Sequence, residues 1–256
     1  MEVKSSGYRD FVWAVNLHRL GFEIMGLWPK PDKCSEKSLW PKIRVGIIVI
    51  LLIFVSNIPM ICAVKRVWGD MVLVIDNLQT TLPLLIVSMK YIILQRKQRD
   101  VLSIVNMMAE DWIAFKLNKE RNVMIKRART ARFIVIIGYV FALIGFFTIT
   151  IAPYFDIQAT YVGNSTDRRK LLPIETYHFY DTNKSPQFEL TYLVQVITLS
   201  LAGVIYTLID AFLGLVIFHI CGQLENFRYR LINLPSCKNF NKVLNNIIST
   251  HLRLIR

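Results

Sequence analysis

Two stretches of this chain tolerate only one kind of environment. Val45 to Val64 runs for 20 residues without a charged side chain, and Phe133 to Phe155 runs for 23. About 20 apolar residues in a helix cross a hydrocarbon core of about 30 Å, and a helix that is apolar all round must be covered on every side. The whole chain agrees with that reading. Of its 256 residues 54% are hydrophobic and 19% charged, whereas soluble domains carry about 25% charged residues. Disordered and collagen-like classes are excluded by the same figures. The first run begins only after 44 mixed residues, so it reads as a retained span and not as a cleaved leader. The expected fold class is all-α: a multi-pass transmembrane helical protein.

Two further runs complete a set of four. Met71 to Leu94 carries Asp76 near one end and Lys90 near the other, and a lysine roughly 6 Å from a helix end can extend its stem to the interface. Phe188 to Cys221 is 34 residues long, roughly 51 Å as a helix and well beyond a bilayer's thickness. Asp210 marks the expected exit, because an aspartate at mid-membrane costs about 2.5–3.5 kcal/mol on insertion scales but little at the interface. The spans are therefore expected at 45–64, 71–94, 133–155 and 188–210. Asn57 and Pro59 fall inside the first and require neighbouring helices to satisfy the freed backbone. Beyond Asp210, in 211–256, Phe212, Leu215, Val216, His219, Gln223 and Phe227 follow an amphipathic helical period. So do Val101, Leu102, Val105, Met108, Ala109 and Trp112 within 95–132. These two amphipathic stretches are expected to pack together outside the membrane.

Net charge is +13. In a soluble chain that would raise the question of nucleic acid, but here the positive charge is distributed as membrane topology distributes it. Segments 1–44, 95–132 and 222–256 together hold 24 Lys and Arg, while 65–70 and 156–187 hold six. A cytoplasmic N-terminus follows, with 156–187 as an extracellular loop. The two N-x-[ST] sequons, at Asn164 and Asn183, both lie in that loop, and Asn164 is the glycosylation candidate, since Pro186 follows the second. Cys34, Cys62, Cys221 and Cys237 include no CxxC pair and none lies in the outer loop, so neither a disulfide framework nor a zinc site is implied.

Enzymatic chemistry finds no foothold. The chain has no GxGxxG, P-loop, HExxH or GxSxG motif, and no cofactor is implied. His178 and Asp181 belong to the outer loop and His219 to the inner extension, on opposite sides of the expected bilayer. Asp76, Glu189 and Asp210 sit near span ends, where solvated or paired carboxylates are ordinary.

Several segments resemble those of a known family. Leu20-Gly21-Phe22-Glu23-Ile24-Met25-Gly26-Leu27-Trp28-Pro29 ahead of the first span looks like the opening of insect odorant receptors. Asp210-Ala211-Phe212, then Phe218-His219-Ile220-Cys221-Gly222-Gln223-Leu224 and Arg230-Leu231, is similar to that family's fourth helix, and His251-Leu252 to the approach to its fifth. The resemblance implies a seven-helix plasma-membrane subunit with an inside N-terminus and a fourth helix that continues into the cytosol. It also implies pairing with an obligate co-receptor as an odorant-gated cation channel in olfactory neurons. Four spans are present of the seven expected, so the chain is expected to be a fragment that does not conduct alone.

For a small volatile ligand, the outer halves of spans two, three and four offer Leu78, Thr81, Leu82, Phe146, Phe147, Thr150, Tyr154, Tyr192, Gln195, Val196 and Leu199. An apolar wall with few polar groups suits such a ligand. Helix packing or lipid contact is the competing reading for any one of them. Among other classes, a four-span scaffold remains a rival, although the cysteine-rich outer loop of tetraspanin-like proteins is absent. A transporter fragment would show inverted repeats or broken spans, and a G-protein-coupled receptor would have its N-terminus outside.

Overall fold

The computed structural model describes residues 2–29, 39–114, 118–151, 172–174, 176–178, 180–182 and 184–233, with isolated positions at 241, 244–245, 248–249 and 252. Its elements are α1 (Glu2–Ile24), α2 (Trp40–Ile50), a π-helical stretch (Leu51–Asn57), α3 (Ile58–Arg66), α4 (Met71–Arg96), α5 (Gln98–Ile113), α6 (Asn118–Ile151) and α7 (Gln187–Ile232). No strand occurs among the described residues. Among the described residues four helices are long and apolar enough to cross a membrane: Trp40–Arg66, Met71–Arg96, Asn118–Thr148 and Gln187–Ile232. Each contains one of the apolar runs, the third as far as Thr148. The last continues without a break for 46 residues, so the helix runs well past Cys221, where the apolar character ends.

The chain forms two compact units. One comprises residues 22–99 and 137–209. Here the first span is not a regular α-helix. Pro59 has no N–H to offer the preceding turn, and the residues before it adopt wider π-helical turns. Within that stretch Leu52, Ser56 and Asn57 are buried, and Asn57 Nδ2 donates to Ser88 Oγ of α4 at 2.6 Å. That bond is the neighbouring-helix partner a polar residue in a span requires. At the other end of α4, Asp70 caps the helix by accepting from the N–H groups of Val72 and Leu73 at 3.0 and 3.4 Å. Lys90 lies with its ammonium 4.5 Å from the centre of the Tyr206 ring, so its charge finds an aromatic face on α7.

The Phe22–Trp28 segment also acquires a physical reason. Gly26 adopts φ +70°, a conformation that favours glycine, and it terminates α1 while Leu27 N–H donates back to the Phe22 carbonyl at 2.8 Å. The carbonyls left over at this helix end are taken by α4 and the start of α5. Tyr91 Oη donates to Met25 O at 3.0 Å, and Gln95 and Gln98 donate to Gly26 O at 2.8 and 3.2 Å.

The second unit comprises residues 1–21, 100–136 and 210–256. Segment 1–44 had offered no span, yet it holds the 23-residue helix α1. Phe11, Ala14, Val15 and His18 recur at three- and four-residue spacing and are all buried. That period is present in the sequence and is overshadowed there by the longer apolar runs. Val101, Val105, Met108 and Trp112 of α5 are buried in this unit, as are Phe212, Leu215, His219 and Gln223 of α7. The two amphipathic stretches do meet: His219 Nε2 lies 3.0 Å from Asp111 Oδ2. Arg121 makes a forked pair with Asp10 at 2.5 and 3.0 Å. Arg230 makes another with the buried Glu120 at 2.6 and 2.8 Å, and Asn226 donates to the Glu120 carbonyl at 3.3 Å.

Candidate ligand site

The residues expected to contact a ligand divide by environment. Thr81, Gln195 and Val196 are buried. Leu78, Phe146, Thr150, Tyr192 and Leu199 are half-buried. Leu82 and Phe147 are 51% and 55% exposed, so in this chain taken alone they present their side chains outward, as lipid-facing residues do. Tyr154 lies outside the described residues, as do Asn164 and His251.

What holds the polar members of this group is local hydrogen bonding. Thr81 Oγ1 donates to Asn77 O at 2.7 Å and Thr150 Oγ1 to Phe146 O at 2.8 Å, the back-bonding by which a threonine satisfies its hydroxyl within a helix. Tyr192 is different because its hydroxyl leaves its own helix and donates to the Thr150 carbonyl at 3.4 Å. It ties α7 to the end of α6, while its ring packs against Phe188 at 5.9 Å between centroids. Phe146 and Phe147 meet edge to face at 5.7 Å.

Gln195 is the most informative position. An amide on an apolar helix needs several partners, and burial without them costs more than one hydrogen bond returns. Here the partners come from the segment that precedes α7. The Ile174 N–H donates to Gln195 Oε1 at 3.3 Å, and Gln195 Nε2 donates to Thr176 Oγ1 at 2.8 Å and to Ile174 O at 3.4 Å. Ile174 itself is buried. The same segment is held at three further points. Tyr177 N–H donates to Pro59 O at 3.4 Å, and the Arg66 guanidinium lies 5.2 Å from the centre of the Tyr177 ring. Tyr180 Oη and Thr191 Oγ1 share a hydrogen bond of 2.7 Å. His178, bonded to Thr176 Oγ1 at 2.7 Å, has its pKa lowered by burial. The described residues of 172–182 are thus strapped onto α3 and α7, with the Gln195 amide as the innermost fastening. Sequence reading had placed Gln195 among candidate ligand contacts but carried no sign of this strap, because its partners lie some twenty residues away in a loop without periodicity.

The other unit holds a small cavity lined by Ala14, Met108, Trp112, Met124, Ala128, Leu215 and His219, of about 10 Å³. That volume suits about one water molecule and excludes an odorant-sized ligand. Among the described residues no group of His, Cys, Asp and Glu side chains is arranged to hold a metal ion.

The family model described as 7tm odorant receptor matches residues 70–256. Among solved structures the chain is similar to the insect olfactory receptor OR5 from Machilis hrabei, with 15% identity and a TM-score of 0.77 over 96% of this chain and 63% of that one. The same receptor in complex with eugenol gives 14% identity and a TM-score of 0.78, covering 96% and 64%. At such identities the likeness is one of fold. The chain spans just under two thirds of the length of these structures. No curated protein matches it.

Proposed function

The chain belongs to the 7tm odorant receptor family, and on that premise we propose that it is the ligand-binding part of a receptor subunit for a small, largely apolar volatile. Binding takes place among the helices that carry Thr81, Phe146, Thr150, Tyr192, Gln195, Val196 and Leu199, with Leu78, Leu82, Phe147 and Tyr154 as outlying members of the same group. In the complete receptor, paired with a co-receptor subunit in the plasma membrane, binding biases a cation channel toward its open state. The N-terminus is on the cytoplasmic side and the strap at 172–182 on the outside.

The observation that carries this reading is the Gln195 fastening. A ligand opens a channel only if it favours one state over another. A ligand that takes over part of the Gln195 amide, or slides against the Tyr192 ring, exchanges a strap contact for a ligand contact and so alters the relative stability of two arrangements. Apolar contact supplies the remaining affinity, at about 0.8 kcal/mol for each methylene buried. The solved relative in complex with eugenol makes eugenol itself a sensible first probe.

The test is odorant concentration dependence for the complete receptor expressed with its co-receptor. Tyr192→Ala and Gln195→Leu should shift half-maximal concentrations by about threefold to tenfold for at least some odorants, the effect of losing roughly one hydrogen bond or its equivalent in contacts. Surface expression is measured alongside. Unshifted responses in both variants at normal surface expression would remove this region from the binding site.

A further inference from the structure

Arg44 carries its charge where no described group answers it. The residue is half-buried, its Nε is fully buried and has no hydrogen-bond partner, and no ion pair among the described residues includes it. A guanidinium cannot shed its proton to escape that cost, so it needs an acceptor. The turn beside it offers little. Arg44 Nη2 lies 3.6 Å from where a Cβ on Gly26 would stand, but Gly26 O already accepts from Gln95 and Gln98, and Met25 O from Tyr91. Glu23, three residues before Gly26, has a partner of its own.

The place of Arg44 along the first span points to the source of an acceptor. It directly precedes Val45, where 20 residues without charge begin, so the guanidinium stands at the level of lipid headgroups. An apolar stripe starts at the same turn. Trp40, Ile43, Ile47, Ile50 and Phe54 follow one another at steps of three and four and are all exposed, as side chains against acyl chains are. Arg44 is four residues beyond Trp40 and four before the buried Ile48, which sets it at the border between that stripe and the packed side of the helix. Lys42 is exposed in the same turn. No side chain caps α2, and its first turn holds no carboxylate.

We infer that Arg44 holds the phosphate of a phospholipid whose acyl chains lie along the stripe from Trp40 to Phe54, with Lys42 as the second cation. The guanidinium fork presents parallel donors to phosphate oxygens. The phosphate supplies the acceptor and the counter-charge that no described residue provides. A lipid of net negative charge is favoured, because two cations then face one anion with no carboxylate from the first turn of α2 between them. The site rests on the first span crossing a bilayer. It is separate from the odorant site proposed above and does not depend on it, nor on which side the N-terminus occupies.

The experiment uses the full chain in lipid-free detergent, titrated with dioleoyl-phosphatidylglycerol. Bound lipids are counted by native mass spectrometry, and thermal unfolding is followed in parallel. Arg44→Met should bind the first lipid about tenfold more weakly than the native chain, the effect of losing one charge-assisted contact. Arg44→Lys, which keeps the charge and loses the fork, should fall between the two. Arg129→Gln, at an exposed arginine four residues before the third apolar run, should leave the first binding event unchanged. Without lipid, Arg44→Met should melt no lower than the native chain, because it removes an unanswered charge. Dioleoylglycerol, with the same acyl chains and no phosphate, should not displace the lipid, and neither should inorganic phosphate in excess. Unchanged binding by Arg44→Met, or equal weakening by Arg129→Gln, would overturn the proposal, the second by reducing the site to diffuse attraction. Displacement by dioleoylglycerol or by inorganic phosphate would overturn it too, in favour of acyl-chain contact alone or a soluble anion. So would a lipid-free Arg44→Met that melts well below the native chain. The same fall in Asp32→Asn with Glu36→Gln would then identify an ion pair within the chain.

Discussion

His18 is fully buried in the unit formed by residues 1–21, 100–136 and 210–256, and neither of its ring nitrogens has a hydrogen-bond partner of good geometry. Burial lowers its pKa to about 4. The Ala211 backbone acts in the opposite direction, and the positive charge of Arg132 adds to the lowering. The sign of the consequence is definite. In the fold the ring stays neutral down to about pH 4, whereas the unfolded chain takes up the proton below about 6.5. The stability contributed by a neutral His18 is therefore complete above about pH 6.5 and is lost as pH falls toward 4, at up to about 1.4 kcal/mol per pH unit. His18→Phe, which keeps a ring of similar bulk, should flatten the decline of thermal stability in detergent between those two pH values. An unaltered slope would mean that this imidazole is not the group being titrated. A second residue-scale consequence concerns Ser88. Its loss leaves the buried Asn57 amide without its interhelical partner, and Ser88→Ala should cost about 0.6–1.7 kcal/mol, the range found for hydrogen bonds between membrane helices. Denaturation in mixed micelles measures it, and a stabilised variant would show that the pair serves something other than stability.

At the scale of elements, the close approach of α6 and α7 depends on the absence of one side chain. A Cβ placed on Gly138 would lie 2.5 Å from Thr207 Cγ2, and neither a helix backbone nor a β-branched methyl moves cheaply. Small residues allow membrane helices to approach closely in this way. Gly138→Ala should therefore destabilise the pair by about 1–3 kcal/mol, the usual range for overpacking. Thr207→Ser removes the obstructing methyl and should restore most of that loss in the double variant. Simple additivity of the two changes in a double-mutant cycle would refute the contact. Gly222 differs in kind. Its nearest obstruction is the Met124 sulfur at 2.5 Å, part of a flexible side chain, and Gly222→Ala should be tolerated at much smaller cost.

For the whole molecule, the open quantity is orientation. The segments before, between and after the spans hold 24 Lys and Arg on one side against six on the other, and this split predicts that the N-terminus and 95–132 share the cytoplasm. Epitope tags at residue 2 and near Gly163 should separate cleanly in unpermeabilised cells, with only the second labelled. Labelling of the first alone would invert the assignment, and with it the side on which the proposed ligand site would open.

The number of helices able to cross a membrane was legible in the chain itself, because a run such as Val45 to Val64 has no stable folded environment except lipid or a protein core that covers it completely. So was the amphipathic face of Val101, Val105, Met108 and Trp112, since period and burial are local properties of a helix. The eleven candidate contacts were legible only as a composition. What their environments are, and that Gln195 fastens a strap while Thr81 merely satisfies itself, depended on which distant groups were brought within hydrogen-bonding distance. Asp111 and His219 are 108 residues apart and Asn57 and Ser88 are 31 apart, and no periodicity links either pair. Hydrophobic pattern is written residue by residue along the chain, whereas the pairing of buried polar groups is settled by tertiary contact. The partner that relieves each one's desolvation is chosen by how the helices pack, and tertiary structure alone decided it.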